Sequence, residues 1–278
     1  MAVAVSACVH RFPRGLRVST LEERREFYER EFDIIGLSRW IGDRSRHMKF
    51  AMILGRHTGI VAKSHLGEKD DVAIIDDWSS AGDVREYALE YLPEGLYYDR
   101  NRYLDVRECA HCGERAASCK RCYNYNGQQL AFDLDPENVD CPYHGHIGDK
   151  LERGSGLSFC MYEFKAVRGQ AANLLAELHE SFEQVRVVFS GRGFHLVVYD
   201  EKGYLLSTRQ RKSMAKKFAA RYDIDEWVTE GGSRLMRLPY SLNAIVSRKC
   251  MEIERERVLK EFDPRNTGQV IPKFARSS

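Results

Sequence analysis

The chain has 278 residues with 43% hydrophobic content, enough for a buried core and for one large domain or two small ones. Its 43 Lys and Arg against 41 Asp and Glu leave a net charge of only +2, so bulk charge does not announce a nucleic-acid binder and any basic surface must be local. No apolar run is long enough to span a membrane, and no basic segment precedes the apolar residues of MAVAVSACVHRFPRG, so neither an anchor nor a signal peptide is expected and a cytoplasmic location is.

In chain order, the first 15 residues read as a frayed end or an added strand. Thr20 and Glu23 then form a capping box at the start of LEERREFYEREF, an amphipathic helix with Leu21, Phe27, Tyr28 and Phe32 on its apolar stripe. Phe50–Leu54 reads as a strand. Gly55 and Gly59 bracket a turn whose Arg56 and His57 fit either phosphate contact or a solvated loop. Val72–Ile75 reads as a second strand and Asp83–Leu92 as a helix ended by Pro93. Leu96–Tyr98 is a short aromatic strand followed by Arg100 and Arg102, a pattern that fits nucleotide stacking or simply an amphipathic edge.

Eight cysteines without secretory signals point to metal rather than disulfides. Cys109-x-x-Cys112 and Cys119-x-x-Cys122 offer two thiolate pairs able to close on one tetrahedral zinc, a structural knuckle over about residues 107–124. Downstream, Cys141, His144, His146 and Cys160 make either a second zinc site or a polar loop with a buried cysteine at a helix start. That helix is expected from about Ser158 to Phe182.

Between the two cysteine groups lies LAFDLD. Alternation puts Leu130, Phe132 and Leu134 on one face of a strand and Ala131, Asp133 and Asp135 on the other. Two carboxylates side by side repel unless a cation sits between them. Val185–Asp200 reads as two strands joined by the turn SGRG. There Gly191 and Gly193 free backbone N–H groups, Ser190 adds a hydroxyl, Arg192 a planar cation, and His195 follows on the second strand. Ser207–Tyr222 is a basic helix, either solvated or touching a nucleic-acid backbone. In IDEWVTEGGSRLMRLPYSLN, Asp225 stands at what reads as a strand start, and Arg234 and Arg237 flank an apolar pair. The tail KEFDPRNTGQVIPKF reads as irregular strand and loop over the core.

The D-x-D strand, the SGRGFH turn and the IDEWVT…RLMRLPYSLN segment, in this order, resemble the archaeo-eukaryotic primase superfamily, above all the small catalytic subunit of archaeal DNA primase. The likeness runs from about Leu21 to Pro264. It implies a mixed α/β fold, one catalytic domain over 1–278, with a central, largely antiparallel sheet and a zinc-binding loop. It also implies that Asp133, Asp135 and Asp225 hold two Mg2+ or Mn2+ ions, typically ~4 Å apart, and that Ser190, Arg192, His195, Arg234 and Arg237 hold the nucleotide's phosphates. The expected activity is synthesis of short RNA primers on single-stranded DNA from nucleoside triphosphates, with a large primase subunit as partner. A repair- or plasmid-type primase-polymerase and a non-catalytic nucleic-acid-binding paralogue are the alternatives. The chain departs from the family pattern in three places. Asn243 stands where relatives commonly carry a His, which implies weaker phosphate binding; the interval from His195 to Asp225 is short; and the cysteine knuckle precedes the D-x-D strand.

Overall fold

A computed structural model describes residues 11–65, 71–111, 122–254 and 256–276. The Thr20 box forms as the sequence dictates: its hydroxyl accepts the Glu23 N–H at 3.3 Å and the Glu23 carboxylate accepts the Thr20 N–H at 2.9 Å. It starts α1 (Leu21–Arg30), which leads into α2 (Ile34–Ile41). Strands β1 (Phe50–Ile53) and β2 (Val72–Ile75), helix α3 (Ala81–Tyr91) and strand β3 (Gly95–Asp99) follow. Then come β4 (Asn101–Tyr103), β5 (Tyr125–Gln128) and the acid-bearing β6 (Ala131–Leu134). Helices α4 (Ile147–Glu152) and α5 (Met161–His179) precede the hairpin β7 (Val185–Phe189) and β8 (Phe194–Val198). The remaining helices are α6 (Glu201–Tyr204), α7 (Thr208–Ala219), α8 (Glu226–Glu230) and α9 (Glu256–Glu261). Interleaved with the last two lie β9 (Leu235–Arg237), β10 (Leu242–Asn243), β11 (Arg248–Lys249) and β12 (Met251–Ile253).

The result is a mixed α/β fold whose strand pairings among the described residues are all antiparallel. One four-stranded sheet runs β2-β1-β3-β9 and a second runs β12-β7-β8-β6. The pairs β10-β11 and β4-β5 are separate ribbons. Each sheet has its own core. Phe132, Leu134, Phe194 and Leu196 pack with Phe164, Leu174 and Leu178 of α5, while Phe50, Met52, Leu96 and Met236 pack with residues of α1 to α3. The two faces of β6 therefore part as the alternation requires. Leu130, Phe132 and Leu134 join the α5 core, and Ala131 joins the other, together with Val197 of β8. Asp133 and His195 share the faces of Ala131 and Val197, so the acids point toward the first sheet rather than into a solvated surface.

Three local expectations change. Asp225 does not start a strand: its Oδ1 accepts the Trp227 N–H at 2.9 Å and caps α8, because a short polar acceptor satisfies a free N–H of a helix's first turn. The helix expected from Ser158 begins at Met161, where Cys160 and Glu163 form the cap. The C-terminal tail carries short 3-10 turns at Gly268–Val270 and Lys273–Ala275 instead of strand. Cys112 and Cys119 of the expected knuckle, and the side chain of Cys109, lie outside the described residues, and Cys122 is exposed. No helix among the described residues is long and apolar enough to cross a membrane.

Candidate active site and metal cluster

A cavity of about 160 Å³ opens where β6 and β8 face β3 and β9. Asp133, Asp135, Ser190, Arg192, His195 and Arg237 line it, with His57, Tyr97 and Asn243 beside them. Asp133 lies directly across from His195 in the β6-β8 register, and Tyr97 directly across from Arg237 in the β3-β9 register. Strand pairing thus fixes an acidic wall and a cationic wall at once.

On the acidic wall, His195 Nε2 stands 3.3 Å from Asp133 Oδ1, yet that buried oxygen accepts no hydrogen bond. Burial, and then the charges of Asp135, Asp225 and Glu137, push the Asp133 carboxyl well above its usual range. Burial pulls His195 down to about 4, so its imidazole is neutral at pH 7. Asp225 does not line the cavity, but its N–H donates to the Asp133 carbonyl at 2.9 Å, which ties the α8 cap to the acid strand.

The glycine turn sits against the end of β6. Gly191 adopts φ +98°, a conformation L side chains rarely take, and a Cβ on Gly193 would lie 2.2 Å from the Leu134 carbonyl oxygen. Ser190 Oγ accepts the Gly193 N–H at 3.0 Å. Its carbonyl accepts from Asn243 Nδ2 and from the Cys250 thiol, each at 3.0 Å. Asn243 accordingly braces the turn from behind while lining the cavity.

Arg192 bridges two carboxylates, Asp135 at 3.1 Å and Glu137 at 2.5 Å. Burial alone would lower its pKa, but those carboxylates raise it and keep the guanidinium charged. Glu137 itself is pushed up to about 7, chiefly by burial, and its Oε2 has no hydrogen-bond partner. Sequence reading overlooked Glu137; the signal was a third acid spaced two residues after Asp135, past Pro136.

On the opposite wall, Arg237 stacks over Tyr97 at 4.6 Å and donates to its hydroxyl at 2.6 Å. It is 7% exposed, its Nη1 has no partner, and no carboxylate among the described residues pairs with it. A buried cation without a counterion is costly unless an anion arrives to meet it. Arg234 is elsewhere: it pairs with buried Asp99 at 3.4 Å and does not reach the cavity. The two donors of the Gly55–Gly59 turn also part company. His57 faces the cavity, held by Glu94 at 2.5 Å, while Arg56 pairs with Asp71 outside it. Arg100 is buried against the carbonyls of Gln129 and Val228, and Arg102 pairs with Glu201, so neither serves this cavity. In α7, Arg211 is buried against the Gly203 carbonyl and Lys217 pairs with Glu177.

A second cluster joins Cys141, His144, Cys160 and Glu163, whose ligand atoms all lie within 4.8 Å of one another. Cys141 Sγ is 3.5 Å from His144 Nδ1 and 3.9 Å from Cys160 Sγ. That sulfur spacing suits two Zn–S bonds of about 2.3 Å at a tetrahedral angle. His146 is not a member: it caps α4, its Nδ1 accepting the Gly148 N–H at 3.4 Å. Glu163 takes the fourth place, and the repeated spacing Cys141-x-x-His144 and Cys160-x-x-Glu163 was the sequence signal for it. The group can hold a metal ion.

No protein-family model matches the chain. A DNA primase small subunit-like protein of Archaeoglobus fulgidus, itself uncharacterized, is 50% identical over 270 residues, 97% of this chain and 95% of that one. The DNA primase small subunit PriS of Pyrococcus furiosus is 24% identical over 71% of this chain and 48% of its own length. That of Thermococcus onnurineus is 26% identical over 75% and 52%, so the chain spans about half the length of these two relatives. Among solved structures, the polymerase domain of Mycobacterium tuberculosis Ligase D in complex with DNA aligns with a TM-score of 0.44 and 16% identity over 87% of this chain and 81% of that one, too slight a likeness to argue from. The extent and level of identity to the Archaeoglobus protein place this chain in the family of DNA primase small subunit-like proteins, within the archaeo-eukaryotic primases.

Proposed function

We propose that this chain is a template-directed nucleotidyltransferase that makes short primers on single-stranded DNA inside the cell. The observation that carries this reading is the pairing, across one cavity, of the Asp133–Asp135 face with buried Arg237, whose Nη1 has no partner. Hard divalent cations take carboxylate oxygens, and the free Oδ1 of Asp133 is such a donor beside the Asp135 carboxylate. Asp133 and Asp135, with Asp225 at the neighbouring helix cap, would hold Mg2+ or Mn2+. Bound there, the ions would neutralise charge on the attacking and leaving oxygens.

The chain's own groups supply the rest. Arg237 meets the triphosphate with its free Nη1, and Ser190, whose Oγ accepts the Gly193 N–H within the turn, donates its hydroxyl proton to the same anion. Neutral His195 donates or accepts a hydrogen bond without adding charge. Arg192, tied to Asp135 and Glu137, orients the acidic wall, and releasing either carboxylate would free it for phosphate. A 3′-hydroxyl attacks the α-phosphate, a phosphodiester bond forms and pyrophosphate leaves. Positioning and charge neutralisation, not a covalent intermediate, account for the rate. Zinc at Cys141, His144, Cys160 and Glu163 would brace the loop that walls the site, with a second zinc at Cys109, Cys112, Cys119 and Cys122. A large primase subunit is the expected partner.

The test is template-dependent synthesis by purified protein with Mn2+, with and without a primer, comparing ribo- and deoxynucleotides. De novo dinucleotides from ribonucleotides support the primase reading. Extension of a primer alone moves it to a primase-polymerase, and no product under any condition refutes the activity.

A further inference from the structure

A concentration of positive charge also lies outside the candidate active site. Beside the Cys141–Glu163 cluster runs a groove of about 500 Å³ lined by Arg11, Arg14, Lys150, Arg153 and Arg265, and no acidic residue among the described residues lines it. Lys150 is neutralised by Glu163, and Arg265 by Asp263 at 2.7 Å. Arg11 and Arg14 are exposed and have no ion-pair partner among the described residues. Arg153 is held by carbonyls, of Asp149 at 2.9 Å and His144 at 2.5 Å, which leaves its charge intact. In a chain of net charge +2, this concentration needs an anion to explain it.

The groove is also joined to the active-site cavity. Ser155 and Ser158 face the groove while Leu157, between them, lines the cavity, where its carbonyl accepts from Arg192 at 3.4 Å. One loop therefore walls both. Half-buried Phe12, 5.7 Å from Phe159, gives the groove an apolar floor beside its cations. Cations with an adjoining aromatic surface suit a sugar-phosphate chain with unstacked bases.

We propose that this groove holds the backbone of a single-stranded nucleic acid as it passes the active-site cavity. The inference rests on the proposed activity only for which strand is held; the binding itself is a separate property. The test is fluorescence anisotropy with a labelled single-stranded DNA oligonucleotide, without Mg2+ or Mn2+, across a range of salt. It compares the wild type, Arg14→Ala, Arg11→Ala/Arg14→Ala and Arg14→Glu. The double variant should bind about tenfold more weakly, and its slope of log K against log salt should fall by about 1.4, since each phosphate contact on a single strand contributes about 0.7. Arg14→Glu should weaken binding further than Arg14→Ala. Unfolding temperature and affinity for a labelled nucleoside triphosphate in Mn2+ should be unchanged. DNA affinity and slope equal to wild type overturn the proposal, as does a loss of triphosphate affinity equal to the loss of DNA affinity, or a wild type that binds no DNA. Absence of synthesis by a wild type whose DNA binding responds to these variants refutes the proposed activity and leaves the groove standing.

Discussion

The candidate active-site cavity and the Cys141–Glu163 cluster are both polar groups set against an apolar core, but they are built in opposite ways. The cavity stands on strands and leaves polar atoms of its lining unsatisfied, Asp133 Oδ1 and Arg237 Nη1. The cluster stands on a tight turn and a helix cap, and its atoms already face one another: Cys141 with His144 and Cys160, and Glu163 with His144. The first arrangement is what a site awaiting transient ligands requires; the second is what a permanent brace requires. Unsatisfied buried charge lowers stability and is kept where a ligand repays it, whereas a closed ligand set contributes to folding outright.

That contrast can be broken by substitution. The largest effect is expected from Asp133→Ala with Asp135→Ala, which should lower nucleotide incorporation by at least about 10³-fold while leaving the fold intact, since two repelling carboxylates are removed. A steady-state incorporation assay beside a thermal melt checks both halves. Cys141→Ser with Cys160→Ser should do the reverse: bound zinc should fall by one per chain and the melting temperature by an amount on the order of 10 °C. Metal analysis and calorimetry read it, and an unchanged zinc content would show that the cluster is not a metal site.

Arg237→Leu sharpens the same point within the cavity. Because removing a buried cation without a counterion offsets the lost Tyr97 hydrogen bond and stacking, stability should change by less than about 1 kcal/mol while nucleotide affinity falls about 10- to 100-fold. A large loss of stability would mean that Arg237 serves the fold.

The smallest effect concerns the loop that presents His57. Burial would push Glu94 up, but the His57 imidazole and the backbone N–H groups of His57 and Thr58 hold it at about 2. A carboxyl depressed in the folded state adds stability above its unfolded value near 4.3, and that stability is lost as pH falls through the folded value. Denaturant melts should show up to about 3 kcal/mol disappearing between about pH 5 and pH 2, with a shallower pH dependence in Glu94→Gln.

Strand alternation made the acidic wall legible in the sequence. LAFDLD fixed which residues share a face, and SGRG named the turn, because both signals are local and their period is rigid. The cationic wall was only half legible. Arg234 and Arg237 are spaced alike around an apolar pair, and only the pairing of β9 with β3 sends one to Asp99 and the other over Tyr97. The same holds for Arg56 and His57, adjacent in the chain but paired with Asp71 and Glu94 respectively. In the cluster, His146 was a reasonable ligand by spacing, but it was taken by a helix cap, and Glu163 replaced it from the first turn of α5. Which member of a local set reaches a site is decided by tertiary closure, which local period does not encode.

The Asp133–Asp135 face and Arg237 are proposed as the two halves of one metal-triphosphate site. Equilibrium binding of Mn2+, followed by its electron paramagnetic resonance signal with and without a nucleoside triphosphate, tests it most directly. The triphosphate should tighten Mn2+ binding to the wild type, and Asp133→Ala with Asp135→Ala should abolish this coupling without changing zinc content. Mn2+ binding that is indifferent to the triphosphate, or equal in the wild type and the double variant, would contradict it.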